Sequence, residues 1–151
     1  MDNVRKAAEW AKKNGLEPPK ETELNLEYIA NAANSNLVNV PLEKLDEIIL
    51  KINAYNLYLN ATKGKLLARI GYVEDKVKRK LGVESSKLIN KYKSKDEREA
   101  IALKMNEDLN SMNEKLLTLR SMYAHIKDIP YSIDAIIRSM TILYHRKANA
   151  K

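Results

Sequence analysis

The side chains of this chain that are best suited to chemistry are the cations of one central segment. Residues 63–95 contain eleven Lys or Arg and three acidic residues, a net charge of +8, whereas residues 1–62 carry −2 and residues 96–151 carry +1. The excess of positive charge, +7 for the whole chain, therefore lies in this segment. Lys and Arg bind phosphates through charge and counterion release. A concentrated basic stripe is typical of a protein that binds a polyanion.

The residues of this segment recur with helical spacing. One set has successive members four, three, four and three residues apart, which places them in a single stripe along a helix: Lys65, Arg69, Tyr72, Lys76 and Arg79. A second, apolar set is turned from the first by about 100°: Leu66, Ile70, Val73 and Val77. The pattern predicts that one face of the helix packs while the cationic face stays open to solvent.

The open face predicts an interface for nucleic acid. A tyrosine ring among cations offers a surface on which an unpaired base stacks. The sequence has no recognition-helix signature, so we expect sequence-tolerant binding with a preference for single strands. The predicted binding residues are Lys63, Lys65, Arg69, Tyr72, Lys76, Lys78, Arg79 and Lys80, and the lysines at 87, 91, 93 and 95 extend the positive field. The alternative is a solvated lysine face that maintains solubility and binds nothing.

Other residue patterns give no catalytic or metal-binding site. His125 and His145 are twenty residues apart and have no carboxylate at ligand spacing, so no metal is expected. The sequence has no Cys, no phosphate-binding glycine loop and no nucleophile with a paired base. Three acidic pairs are interpreted as solvated or first-turn residues rather than as a metal-dependent nuclease site: Asp46–Glu47, Asp96–Glu97 and Glu107–Asp108. We expect a protein that is not an enzyme and has no cofactor.

The elements that position the basic segment are predicted to be helices. The chain has four Gly, four Pro and no Phe, a composition typical of helical bundles and coiled coils. Apolar residues at alternating spacings of three and four predict one long helix from Pro41 to Leu81, ended by Gly82, and a second that follows an N-cap at Ser94. Asn56 and Lys63 occupy heptad position a in the first seam. The second seam is predicted to run without a slip through Ala102, Met105, Leu109, Met112, Leu116, Leu119, Tyr123 and Ile126, and to continue past Pro130.

We therefore predict an all-α protein, a long antiparallel helical hairpin with short N-terminal helices. Residues 1–40 are assigned to an N-terminal helical adaptor, and residues 41–151 to the hairpin with a C-terminal oligomerisation helix, as a single folding unit. Two helices bury only part of each apolar stripe, so the chain is expected to complete its core by homo-oligomerisation. Because the sequence shows no apolar leader, no membrane-spanning stretch and no Cys, we expect a cytoplasmic protein, in the host cell if the chain is phage-encoded.

Two segments resemble a known family. LNATKGKLLARIGYVEDKVKRKL, preceded by NAYNLY, resembles the long helix of UvsY-type phage recombination mediators, in which an aromatic–Leu pair, here Tyr58 and Leu59, precedes a lysine-rich amphipathic helix. The C-terminal stretch KDEREAIALKMNEDLNSMNEKLLTLRSMYAHIKDIPYSIDAIIRSMTILYHRKANA is similar to the second half of those proteins. The resemblance covers residues 42–148 and depends on helical pattern more than on diagnostic motifs.

The resemblance implies a homo-oligomer that binds single-stranded DNA, contacts a single-strand-binding protein and a RecA-like recombinase, and assists loading of the recombinase. It implies DNA contacts at Lys76, Lys78, Arg79 and Lys80, and oligomerisation through Ile133, Ile136, Ile137, Met140 and Leu143. The alternative function is a phage structural or inhibitory module that binds a protein partner and no nucleic acid. A membrane-surface helix is disfavoured because the apolar side of the stripe already belongs to the heptad seam.

Overall fold

The structure, a computed structural model, describes residues 2–19 and 26–150. Helix accounts for 84% of it and the described residues contain no strand, so the predicted all-α class is confirmed. The helices are α1 (Asp2–Lys13), α2 (Leu26–Asn34), α3 (Leu42–Ser86), α4 (Lys95–Met105), α5 (Glu107–Ile126) and α6 (Ile129–Asn149), with a 3-10 turn at Leu37–Asn39. None of the helices in the described ranges has a stretch long and apolar enough to cross a membrane.

The chain forms two compact units. The first comprises Met1–Gly64 and Ala124–Lys151, and the second comprises Lys65–Tyr123. Helix α3 is continuous through the point in the sequence where the first unit gives way to the second.

The first unit has an apolar core built from α1, α2, the N-terminal part of α3, and α6. Its buried members are Ala11, Ile29, Leu45, Ile52, Tyr55, Tyr58, Leu59, Ile133 and Met140. The buried amide of Asn56 donates to a carboxylate oxygen of Asp134 at 2.7 Å. Nearer the surface of the same unit, Lys147 donates to the carbonyl oxygens of Val38 and Val40. Residues of the predicted N-terminal adaptor thus contribute to the same core as α3 and α6.

The end of α1 follows from a glycine. Gly15 has a φ of 77°, a left-handed conformation that costs glycine little. It lets the Leu16 amide donate to the Ala11 carbonyl at 3.0 Å and the Gly15 amide donate to the Lys12 carbonyl at 3.1 Å. These two bonds satisfy the last carbonyls of the helix in a Schellman motif, and they direct Leu16 towards the core.

The second unit has its own core, formed by α3, α4 and α5. The buried side chains are Leu66, Ile70, Val73 and Val77 of α3, Ala102 of α4, and Leu109, Leu116, Leu119 and Met122 of α5. The predicted α3 seam is therefore confirmed in this unit. Two ion pairs connect α3 to α5, Lys80 with Asp108 at 3.3 Å and Glu74 with Arg120 at 3.0 Å.

Two predicted features of the helices are wrong. The second seam is interrupted at Met105, which is 75% exposed, because Asn106 adopts an extended backbone (φ −110°, ψ 104°) that separates α4 from α5. Asn106 then caps α5, accepting from the Leu109 amide at 3.0 Å. The first long helix does not end at Gly82 but continues to Ser86, because a glycine in helical conformation costs only about 1 kcal/mol and its left-handed form is not required there.

Two other features agree with the sequence pattern. Ser94 is the N-cap of α4 and accepts from the Glu97 amide at 3.5 Å, which confirms the predicted cap. The chain leaves helical structure between Ile126 and Ile129, so α5 and α6 are separate helices. Pro130 lies in the first turn of α6, where its missing N–H needs no intrahelical partner.

Candidate nucleic-acid interface

The basic stripe lies on a solvent-facing side of α3, next to the seam that makes its core contacts. Leu66 is fully buried and Val77 nearly so, whereas Lys65, Tyr72, Lys76 and Arg79 are exposed and Arg69 is half-buried. This separation follows from the 3.6-residue period, since positions seven residues apart share a face. The predicted division of α3 into a packed seam and an open cationic face is confirmed within the second unit. Whether nucleic acid binds to that face stays a prediction.

A tyrosine lies between two cations at the centre of this face. The side chain of Tyr72 is 51% exposed, with the guanidinium carbon of Arg69 5.2 Å from the centre of its ring and the Lys76 ammonium 4.5 Å from it. Both distances are within the range of cation–π attraction. Arg69, Tyr72 and Lys76 together are called the Tyr72 cluster.

The Tyr72 cluster generates a local positive field. The Lys76 ammonium, by hydrogen bonding and charge, and more weakly the Arg69 guanidinium lower the pKa of the Tyr72 phenol below its ordinary value. Stabilisation of a phenolate shows that an anion at the rim of this ring is electrostatically favoured. The cluster is thus a place where a negatively charged group and a planar ring can be bound together.

Three other predicted cations of the second unit are engaged by carboxylates. Lys78 pairs with Glu74 at 3.2 Å, Arg79 with Asp75 at 2.8 Å and Lys80 with Asp108 at 3.3 Å. Glu74 also binds Arg120, and the hydrogen bond from Lys78, with the charges of Lys78 and Arg120, lowers the pKa of Glu74. Exposed pairs of this kind contribute at most about 1 kcal/mol, so a phosphate can compete for these cations.

A count of charges along the sequence did not reveal that these cations are paired with carboxylates. The pairs Glu74–Lys78 and Asp75–Arg79 are four residues apart on one helix, a spacing that itself predicts an ion pair. The pair between Lys80 and Asp108 joins residues in different helices, and no local spacing predicts it. Of the four positions that the family resemblance implies for DNA contact, only Lys76 has no carboxylate partner among the described residues.

Lys63 is separated from the other predicted residues by the division of the chain. It is half-buried in the first unit, with its ammonium 3.5 Å from the carbonyl oxygen of Lys127. The seven other predicted residues belong to the second unit. The second unit therefore contains the whole basic stripe with the Tyr72 cluster, and Lys63 is not part of this unit.

The end of the basic segment is organised by an arginine that sequence reasoning did not single out. Arg98 donates to the carbonyl oxygens of Tyr92 and Lys93 at 2.9 and 2.8 Å. These bonds fix the turn after α3, where Lys91 and Lys93 are exposed. A cation that holds backbone carbonyls is not recognisable from its spacing alone, because the contact depends on how the turn folds back.

The residues implied for oligomerisation lie in the first unit. Ile133 and Met140 are each 2% exposed, and Ile136, Ile137 and Leu143 pack against the same core. An apolar groove of about 340 Å³ remains open beside them, lined by Ala33, Leu37, Ala135, Ile136, Ser139, Met140 and Leu143. In the same unit Leu50 and Leu57 of α3 are 62% and 71% exposed. These observations do not test the oligomerisation prediction.

The described residues define an all-helical protein with a cationic face on one long helix. Among residues 2–19 and 26–150, no three His, Asp or Glu side chains lie close enough together to hold a metal ion. Comparison of the chain with protein-family models, with curated proteins and with solved structures gave no match. Function is therefore inferred from the geometry of this face.

Proposed function

We propose that this chain is an oligomeric, single-stranded DNA-binding recombination mediator that assists loading of a RecA-like recombinase. The observation that carries the DNA-binding part is the segregation on α3 of a buried apolar seam from an open stripe that contains the Tyr72 cluster. Such a stripe binds phosphates without distorting the core, since no core residue is needed for the contact. Backbone-directed cations read no base sequence, so the binding is sequence-tolerant.

The recombinase and the single-strand-binding protein are proposed as partners on the basis of the family resemblance alone. The resemblance joins a lysine-rich helix to a C-terminal helix over residues 42–148, and these correspond to α3 and to α4 to α6. A mediator must bind single strands reversibly in order to hand them to the recombinase. Cations that already have carboxylate partners suit such exchange, because their affinity for phosphate is moderated.

We also propose the antiparallel hairpin and the homo-oligomer. The ion pairs of Lys80 with Asp108 and of Glu74 with Arg120 follow opposite directions along α3 and α5, as expected for antiparallel helices. The oligomer is supported by Leu50 and Leu57, which are exposed in the stretch 48–62, where Lys51 is the only charged residue. Because a helix that is apolar on all sides is usually buried, two exposed leucines in a stretch with a single charge favour burial against a second copy. Several basic stripes in one assembly would combine their weak affinities.

Fluorescence anisotropy with a labelled single strand over a salt series tests the DNA-binding part. For a single strand the logarithm of the affinity falls with the logarithm of salt concentration by about 0.7 per phosphate contact, so replacing two contacting cations lowers that slope by about 1.4. We expect this change for Arg69→Glu with Lys76→Glu. The matched control is Lys104→Glu with Lys115→Glu, which reverses two exposed cations in the same unit and is expected to have a smaller effect. Absence of binding at low salt would refute the proposal.

A protein-interaction module without DNA binding is the second candidate, and Leu50 and Leu57 favour it equally. Leu57→Glu places a charge at a side chain that is 71% exposed, whereas Leu117→Glu does so at one that is 55% exposed in the second unit. Light scattering is expected to show dissociation for Leu57→Glu and not for Leu117→Glu. A monomeric parent protein contradicts the oligomer, and a parent oligomer that binds no DNA favours the second candidate.

A further inference from the structure

We infer that the Tyr72 ring is a base-stacking subsite that makes this face prefer single strands to duplexes and to bare phosphate chains. This inference depends on the proposed DNA binding and extends it from charge to the chemistry of the base. It assigns Tyr72 the recognition of an unpaired nucleobase, and Arg69 and Lys76 the recognition of the phosphates on either side of that base.

The position of the ring makes it accessible to a base. Tyr72 is 51% exposed on the outer face of α3, while the neighbouring Val73 is 4% exposed and fixes the helix against the core. A ring on a convex helix surface reaches only bases that project from their strand. Bases in a duplex are stacked on one another and hidden between the backbones, so the ring distinguishes the two forms by access alone.

The contacts of the ring show how it would exchange partners. Arg69 precedes Tyr72 by three residues and Lys76 follows it by four, so both long side chains reach the ring from adjacent turns, at 5.2 and 4.5 Å from its centre. An exposed cation–π contact contributes about two- to fivefold to an equilibrium constant. A stacked base contributes about 5- to 150-fold. A base can therefore replace one cation on the ring, and the released cation remains tethered beside the phosphate of that nucleotide.

The electrostatics of the ring agree with this geometry. The same two cations, which lie 5.2 and 4.5 Å from the ring centre, lower the pKa of the phenol, as expected where positive charge surrounds the rim of the ring. A nucleotide offers the required combination, a planar apolar base joined to an anionic phosphate. Two other anionic ligands lack part of this combination. A carboxylate side chain of a protein partner and a phospholipid headgroup each carry a negative charge but no planar base.

Another exposed tyrosine provides a comparison. Tyr131 on α6 is 77% exposed, and in the described part of the chain no cation lies over its ring. Exposure alone would make Tyr131 the better stacking surface. Cations placed to bind the flanking phosphates distinguish Tyr72, so Tyr131→Ala is a control that removes a more exposed ring with no cation over it in the described residues.

The experiment compares three labelled probes at one salt concentration: an oligothymidylate, an abasic phosphodiester with the same number of phosphates, and a duplex of the same length. Each is titrated with the parent protein, Tyr72→Ala, Tyr72→Phe and Tyr131→Ala. Circular dichroism checks that the helical content of each variant is unchanged, as expected because both rings are exposed. The abasic probe separates the contribution of the base from that of phosphate.

We expect the parent protein to bind oligothymidylate more tightly than the abasic probe. Tyr72→Ala should lower the oligothymidylate affinity by about 5- to 150-fold and leave the other two probes within about twofold of the parent. Tyr72→Phe should retain the preference for bases because it keeps the ring, and Tyr131→Ala should bind as the parent does.

Two results would overturn the inference and leave the proposed DNA binding unaffected. One is equal parent affinity for oligothymidylate and the abasic probe, which means that phosphate alone is recognised. The other is a loss in Tyr72→Ala that is the same for all three probes, which means that the ring only positions Arg69 and Lys76. A parent protein that binds none of the probes at low salt refutes the proposed function, and the inference with it.

Discussion

The hydrogen bond between Asn56 and Asp134 gives a quantitative test of the first unit. Asn56 is 5% exposed and donates to Asp134 at 2.7 Å, whereas its own side-chain oxygen has no partner among the residues that the structure describes. A hydrogen bond to a charged group contributes about 1.5–3 kcal/mol, and a buried polar group left without a partner costs about 1–3 kcal/mol. Because Asp134 is only half-buried, the lower end of each range applies.

The perturbation is Asp134→Ala, made in the parent and in Asn56→Leu. In the parent it leaves the whole amide of Asn56 buried without a partner, and we expect a loss of about 2 kcal/mol in the free energy of unfolding. That loss corresponds to a fall of about 4–8 °C in the melting temperature for a chain of this size. In Asn56→Leu the amide is already absent, so the same change should cost little. The expected coupling energy is therefore about 2 kcal/mol.

Trp10 provides the assay. It is the only tryptophan of the chain and packs against the core of the first unit, so its fluorescence follows unfolding of that unit during a urea titration. The slope of the free energy against urea should be unchanged in all four proteins. Equal costs of Asp134→Ala in the two backgrounds, within about 0.5 kcal/mol, would show that the two residues are independent and would refute the assigned contact.

Two further predictions concern the ionisable groups. Glu74→Gln removes the carboxylate shared by Lys78 and Arg120, so single-strand affinity measured by anisotropy should rise. The control Glu114→Gln, at an exposed glutamate outside the ion pairs described, should change that affinity less. An unchanged or lower affinity in Glu74→Gln contradicts the role given to the ion pairs. Burial raises the pKa of Tyr55 and Tyr58 above the ordinary value of 10.0, so the folded state keeps protons that the unfolded state releases. The stability that this provides is complete below pH 10 and is lost as the pH rises through the raised values. Alkaline urea titrations followed by Trp10 should therefore show falling stability, and a smaller fall in Tyr55→Phe; the same fall in both proteins contradicts the assignment.

The apolar seams of α3 were predictable because one force dominates them. Leu66, Ile70 and Val77 repeat with the helical period, and burying them is favourable whatever surrounds them. The cap at Ser94 was predictable for a similar reason, since its hydroxyl needs only the amide three residues ahead. Both signals are local, and each requires a single residue type at a single spacing.

The features that sequence reasoning missed depend on contacts between distant residues or on balances of small energies. The break at Asn106 contains neither Gly nor Pro, and it exists because one asparagine side chain caps α5 in competition with a continued helix. The pairing of Lys80 with Asp108 requires that α3 and α5 pack in a particular register. The division of the predicted interface, with Lys63 in one unit and Lys65 in the other, likewise follows from packing and not from spacing.

The carboxylates on the basic face have a consequence for how strongly salt affects binding. Glu74, Asp75 and Asp108 are counterions that belong to the protein itself. In the proposed complex, a phosphate that binds Lys78, Arg79 or Lys80 loses its condensed cations, but the carboxylate that it displaces attracts cations from the solvent, so fewer ions are released in total. The affinity should therefore depend on salt less steeply than the number of cations implies. Such internal counterions would let a strand be bound and released under nearly constant cellular salt.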